Sequence, residues 1–132
     1  MTTIIGVETN LGKAWPLSAA FTFRVLVTSD GTASGTPTNL TGRAYTFVVR
    51  REINGRVDQS AALLTKTSAA SQITYTNGSG TADAADVSIL STDLPAASVN
   101  PEKVRWALWR TDDPSDRPEA HGSVLLFEVA GQ

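Results

Sequence analysis

One stretch limits the fold more than any other: Asn39, Leu40, Thr41, Gly42 and Arg43, followed by Ala44, Tyr45, Thr46, Phe47, Val48, Val49, Arg50 and Arg51. Tyr45, Phe47 and Val49 alternate with Ala44, Thr46 and Val48. Aromatic and β-branched residues repeating at a period of two mark a strand with distinct faces, because only an extended chain puts residues two apart on the same side. Leu40, Thr41 and Gly42 form a glycine-closed turn that launches it. Ahead of the turn lies a polar loop over 29–38, rich in Ser, Thr and Gly. A second alternating run precedes that loop at 20–28, with Phe21, Phe23, Val25 and Val27 on one face and Thr22, Arg24 and Thr28 opposite. This strand, loop, turn and strand set the architecture that the rest of the chain completes.

The remaining elements follow from the same signals. Residues 2–7 read as a short first strand or as an arm that pairs with another chain. Residues 9–13 read as a turn, and Trp15 is extended because Pro16 disfavours helix in the residue before it. Asn54-Gly55 predicts a type I′ hairpin, with a weakly patterned returning strand over 57–66. A short strand at 72–76 ends at a second Asn-Gly, and a further strand covers 85–90. Over 91–98, Ser91 or Thr92 offers an N-cap and Pro95 sits early, which predicts one short helical turn stopped by Pro101. Residues 103–111 place Val104, Trp106 and Leu108 on one face and Arg105, Ala107 and Trp109 on the other. A breaker-rich loop over 112–118 leads to a last strand at 122–130, apolar on both sides, which predicts cover on both faces. Seven or eight short strands with turns near the spacing of sandwich folds give a single antiparallel β-sandwich over 1–132, with 1–19 as its arm or first strand and a closed barrel as the second reading.

The chain has 132 residues, no cysteine and a formal net charge of −2. That length suits one domain able to bury roughly two thirds of its unfolded surface, and the missing thiols remove disulfides, thiolate metal sites and thiol catalysis. Basic residues are dense only at Arg50-Arg51 and around Arg105 and Arg110, short of the stripe that phosphate neutralisation asks for, so a nucleic-acid partner is not expected. No apolar run approaches the roughly 18–20 residues of a membrane span, and the N-terminus lacks the pattern of a signal peptide. A protein folded in the cytoplasm where it is made, without a membrane partner, is the expectation.

Candidate chemistry is thin. His121 and Ser123 lie near Asp112, Asp113 and Asp116, but no Gly-x-Ser-x-Gly elbow is present and the strand spacing holds His121 and Ser123 apart. The three aspartates do not follow an EF-hand pattern and suit a solvated turn. Glu8, Glu52, Glu102, Glu119 and Glu128 are scattered, and Gly78-Ser79-Gly80 lacks the lysine and helix of a phosphate loop. No catalytic residue, cofactor or metal ligand is assigned. Trp106 and Trp109, three apart, fall on opposite faces. Trp106 joins the core set. Trp109, flanked by Arg105 and Arg110, is either an interface anchor, since Trp and Arg dominate hot spots, or a ring covered by the 112–118 loop. Trp15, Ile4 and Ile5 are further interface candidates on the N-terminal segment.

A strand, a loop with Asp30-Gly31, then Leu40-Thr41-Gly42 and a strand ending in Arg form the front half of a recurring pattern. Val87 to Leu90, then Ser91-Thr92-Asp93-Leu94, an aromatic strand and a glycine-led final strand from Gly122 to Val129 form its back half. Together they resemble the immunoglobulin-like β-sandwich at the N-terminus of tailed-phage baseplate upper proteins and related tail and fibre-attachment proteins. The likeness spans roughly 20–130. The sequence departs from it at Trp106 to Arg110 and in the longer loop after it. The resemblance implies a non-enzymatic virion component that docks other virion proteins of tail, neck or capsid and works as a homo-oligomer in the particle. A capsid decoration protein, and a carbohydrate-binding module using an exposed Trp, are the alternatives.

Overall fold

The computed structural model describes residues 2–4, 14–17, 19–28, 36–76, 83–95, 102–113 and 118–128. Strands run through them in the order β1 (Thr2–Ile4), β2 (Ala14–Pro16), β3 (Phe21–Thr28), β4 (Tyr45–Ile53), β5 (Arg56–Val57), β6 (Leu64–Thr67), β7 (Ile73–Thr76), β8 (Ala84–Ile89), β9 (Glu102–Arg110) and β10 (Ala120–Phe127). No described residue is helical. Two sheets result. One has the order β1-β3-β8-β7; the other runs β2-β10-β9-β4-β5, with β6 also pairing β4.

The expected alternation decides what each sheet buries. Phe23, Val25, Val27, Val87 and Ile89 from the four-stranded sheet meet Tyr45, Phe47, Val49, Val104, Trp106 and Leu108 from the six-stranded one in a single apolar cluster. Its centre is aromatic. Phe23 meets Trp106 edge-on at 5.0 Å, and Phe47 stacks on Trp106 at 5.7 Å. Such offset and edge contacts suit the ring quadrupoles and add to the area each ring removes from water.

The turns that aim these strands follow the local sequence. The N–H of Arg43 donates to the carbonyl of Leu40 at 3.0 Å, and Gly42 carries φ +86°. This is the arrangement of a type II turn, which needs glycine at its third position. Asn39 Oδ1 accepts from the Thr41 N–H at 3.0 Å, and Leu40 itself is fully buried, pinning the turn to the core. Asn54 and Gly55, at φ 52° and 77°, make the predicted hairpin between β4 and β5.

Several expectations are corrected. The sheets are not purely antiparallel: β2 runs parallel to β10, with Trp15 opposite Leu126. The segment 57–66 is not one strand, since β5 ends at Val57 and pairing with β4 resumes only at Leu64. The helical turn is a reverse turn over 91–93: the Asp93 N–H donates to the Leu90 carbonyl at 3.1 Å, and Asp93 Oδ2 accepts from the Leu90 N–H at 2.6 Å. Asp93, rather than Ser91 or Thr92, supplies the side-chain acceptor. Residues 96–98 of that stretch lie outside the described residues, as do the turn at 9–13 and the second Asn-Gly. The last strand is covered on one face only, because Leu125 on the other is 40 % exposed. Of the two readings for the N-terminal stretch, the described residues take that of a short first strand: β1 pairs in its own chain with β3, from Thr2 opposite Thr28 to Ile4 opposite Leu26.

Of the described glycines, Gly122 alone lies hard against a side chain. It sits opposite Trp106 on β9, and a Cβ there would come 3.0 Å from Trp106 Nε1 and 3.2 Å from two ring carbons. The indole has little freedom to yield, wedged as it is against Phe23 and Phe47. Overpacking of this kind destabilises by about 1–3 kcal/mol, which outweighs the gain of about 0.5–1 kcal/mol from replacing a strand glycine. Gly122→Ala is therefore expected to lower stability by about 1 kcal/mol, read as a fall in thermal midpoint. A midpoint at or above the parent's would show that the indole yields freely.

Candidate functional site

The outer face of the six-stranded sheet carries the open groove. Alternation turns Thr46, Val48 and Arg50 of β4 outward, with Lys103, Arg105, Ala107 and Trp109 of β9 beside them and His121 of β10 beyond. The register stacks them in rows: Val48, Ala107 and His121 lie abreast, Arg50 faces Arg105, and Thr46 faces Trp109. Ala107, the smallest side chain in the middle row, leaves the floor low. Around it a groove of about 490 Å³ opens, walled by Val48 and Val57 on one side, Trp109 and Pro118 on another, and edged by Arg50, Arg105, Gln59 and His121. That volume lies within the ~300–1,000 Å³ usual for ligand sites, and apolar walls with a few convergent polar groups are the usual composition.

The electrostatics are uneven. Glu52 is the one acid on this face tied to strand cations: Arg105 Nε donates to its Oε1, and Lys103 Nζ lies 3.5 Å from its Oε2. The hydrogen bond from Arg105 holds the Glu52 carboxyl below its ordinary value, against the opposing effect of burial and with help from Lys103. Arg50 makes a single long bond, 3.3 Å, to the Gln59 carbonyl. At the far end Arg110 grips Asp112 with two bonds of 3.0 Å, and Asp112 also accepts from the Ala44 N–H. The Arg110 bond, then the Ala44 N–H, bring the Asp112 carboxyl down to about 2.

The expected site residues part company here. Trp106 is in the core at 2 % exposure, whereas Trp109 is half-buried and lines the groove together with Pro118. Arg105 joins it in the groove. Arg110 does not; its guanidinium is spent on Asp112 and Asp113. Trp15 is a correction: it is fully buried, packed on Phe21, Phe23 and Phe47 at 5.6, 5.0 and 6.2 Å. Pairing of β2 with β10 carries it between the sheets, away from the surface, and its Nε1 has no hydrogen-bond acceptor among the described residues. Ile4 lies in β1, paired to Leu26, and Ile5 is outside the described residues.

Val48, Arg50, Val57, Gln59, Pro118 and His121 were not expected in a site. The one local signal for them is the surplus of apolar character on the solvent side of β4 at Val48. His121 and Ser123 both face outward and make no bond to each other. Asp112 and Asp113 are engaged with Arg110, Asp116 is outside the described residues, and among the described residues no group of three or more His, Asp or Glu is placed to hold a metal ion. No described helix is long and apolar enough to cross a membrane. No protein-family model matches the sequence, and no curated protein matches it.

Proposed function

We propose that the chain is an immunoglobulin-like docking module of a tailed-phage particle, a non-enzymatic tail, neck or baseplate connector. The observation that carries this reading is Trp109, a large aromatic left half-buried beside arginine in an open groove on the face of a sheet. A ring in that position gains most by being covered, and Trp and Arg are the side chains that anchor protein interfaces. The strand order supports the immunoglobulin-like part. In that fold the first, second, fifth and fourth strands form one sheet and the third, sixth and seventh the other. With β1 and β2 as a first strand shared between sheets, β3, β8 and β7 fall on one side and β4, β9 and β10 on the other. Use as a homo-oligomer, or as a capsid decoration protein, are variants of the same docking reading.

The carbohydrate-binding reading has the same indole in its favour. Against it, a sugar platform uses several coplanar exposed rings, and the other aromatic at this groove, Trp106, is buried. Saccharide titration of Trp fluorescence is expected to leave the emission unchanged.

The test is incorporation. Gradient-purified particles of the encoding phage are expected to contain the chain in fixed copy number by quantitative mass spectrometry. A strain complemented with Trp109→Ala is expected to yield particles depleted of it about tenfold or more, a loss of about 1.4 kcal/mol at a hot spot. Particles that lack the parent chain yet infect normally would overturn the reading.

A further inference from the structure

We infer that the groove takes an extended acidic peptide segment of a partner protein. In this pose an aliphatic or aromatic side chain lies on Trp109 and Ala107, and a carboxylate two residues along meets Arg50 and Arg105. The inference rests on the docking reading and names what docks.

Charge selects the occupant. Arg51, Arg105 and Arg110 each meet a carboxylate, at Glu102, Glu52 and Asp112. Arg50 hydrogen-bonds only to the Gln59 carbonyl, and the nearby acid Asp58 accepts from the Ser60 hydroxyl and N–H at 2.6 and 3.0 Å, attracting Arg50 through space without bonding it. Among the described residues, Glu52 thus serves both Arg105 and Lys103, while Arg50 has no carboxylate in ion-pair contact and feels Asp58 only through space. Arg50, Lys103 and Arg105 against Glu52 and Asp58 leave this face cationic on a chain whose formal net charge is −2. A planar guanidinium with free donors is the side chain best fitted to grip a carboxylate with two bonds.

Spacing selects its shape. Trp109, Ala107 and Arg105 follow one another every second residue on the outer face of β9, and Arg50 completes the last row. Outward side chains on a strand repeat about every 6.5–7 Å. An extended segment laid along β9 has the same repeat, so its own alternate side chains fall in step with an apolar row and then a cationic row.

The same charge argues against a second copy as occupant. A two-fold contact sets a patch against itself, and here it would bring Arg50, Arg105 and Lys103 towards their own images around few acids. Like charges placed together across an interface oppose association.

The experiment is selection of a display library of random 12-residue peptides on the immobilised full chain, with Trp109→Ala and Arg50→Glu proteins in parallel. Near-ultraviolet circular dichroism shows that each variant is folded. The expected winners carry Asp or Glu two positions from Leu, Ile, Phe or Tyr. As synthetic peptides they should lose about tenfold in affinity on Arg50→Glu, on Trp109→Ala and on Glu→Gln in the peptide, and should weaken as salt is raised. No enrichment over the Trp109→Ala protein overturns the inference, as do winners without acids or indifferent to Arg50→Glu. Sedimentation showing a parent dimer that Trp109→Ala dissolves would also overturn it, by assigning the groove to a second copy. Incorporation into particles without peptide binding overturns the groove's occupant alone. Peptide binding by a chain missing from particles overturns the virion reading alone.

Discussion

Phe47→Ala is expected to lower the unfolding free energy by about 3–5 kcal/mol, the upper range for removing a buried aromatic. Phe47 is fully buried at the middle of β4 and reaches three rings, Trp15, Phe23 and Trp106, at 6.2, 5.9 and 5.7 Å. Phe23 belongs to the facing sheet, so the cavity would open at the seam where the two sheets meet, and flanking strands held by ladder hydrogen bonds cannot collapse into it. Total stability of domains this size is about 5–15 kcal/mol, so the variant would lose a large share of it. Phe47→Leu, which keeps most of the volume, should lose no more than about 1.5 kcal/mol. Urea titration reads both as shifts in midpoint with unchanged slope. A loss below about 1 kcal/mol for Phe47→Ala would mean that the ring is not where the packing is densest.

The second large effect concerns a lysine. Lys66 of β6 is 4 % exposed, with its Nζ 2.6 Å from Asp93 Oδ2 in the turn that follows β8. The pair ties an edge of the six-stranded sheet to the end of a strand in the other. Lys66→Met would leave the Asp93 carboxylate largely buried with only the Leu90 N–H, at a cost of about 3 kcal/mol, the low end for a broken buried pair because Asp93 keeps some exposure. Adding Asp93→Asn removes the orphaned charge while keeping an oxygen for Leu90, and should restore all but about 1 kcal/mol. Equal losses in the single and double variants would show that the charges are not coupled.

Acid weakens this effect. Burial works against the Asp93 carboxylate, but the hydrogen bond from Lys66 and the Leu90 N–H outweigh it and set the folded pKa below the ordinary 3.8. A depressed carboxyl adds stability above its unfolded pKa and loses it as pH falls through the folded one. The parent should therefore weaken progressively below about pH 3.8. In Lys66→Met burial is left to dominate and raises the carboxyl, so the gap between parent and variant should narrow on acidification. Urea midpoints measured down through this range check it; a gap that widens would refute the coupling.

What the sequence disclosed and what it hid follow from the range of the interactions involved. Period-two alternation is local, so β3, β4 and β9 were legible, and with them the opposite faces of Trp106 and Trp109. Asn54-Gly55 announced its own turn. Trp15 misled because β2 is three residues long and carries no period; its burial depends on parallel pairing with a strand more than a hundred residues away. Lys66 gave no signal of its burial, because its strand is short and lies at an edge and its acid lies in a remote turn. The groove was half legible. Trp109 and Arg105 stand on one strand, whereas Arg50, Val57, Gln59 and Pro118 arrive from other strands and loops, and no local pattern marks their meeting.

The parallel pairing of β2 with β10 bears on how the chain carries force. Ala14 to Pro16 lie beside Leu125 to Phe127, and the Leu17 N–H extends the ladder to the Phe127 carbonyl at 2.8 Å. Tension entering ahead of β2 and leaving beyond β10 pulls two parallel neighbours in opposite directions along their length. Their hydrogen bonds then share the load together in shear, instead of opening one after another as in a peeled hairpin. A chain loaded at those two points gains resistance from that geometry, and Trp15, locked between the sheets against Phe21, Phe23 and Phe47, is the bolt that slippage of β2 would have to draw.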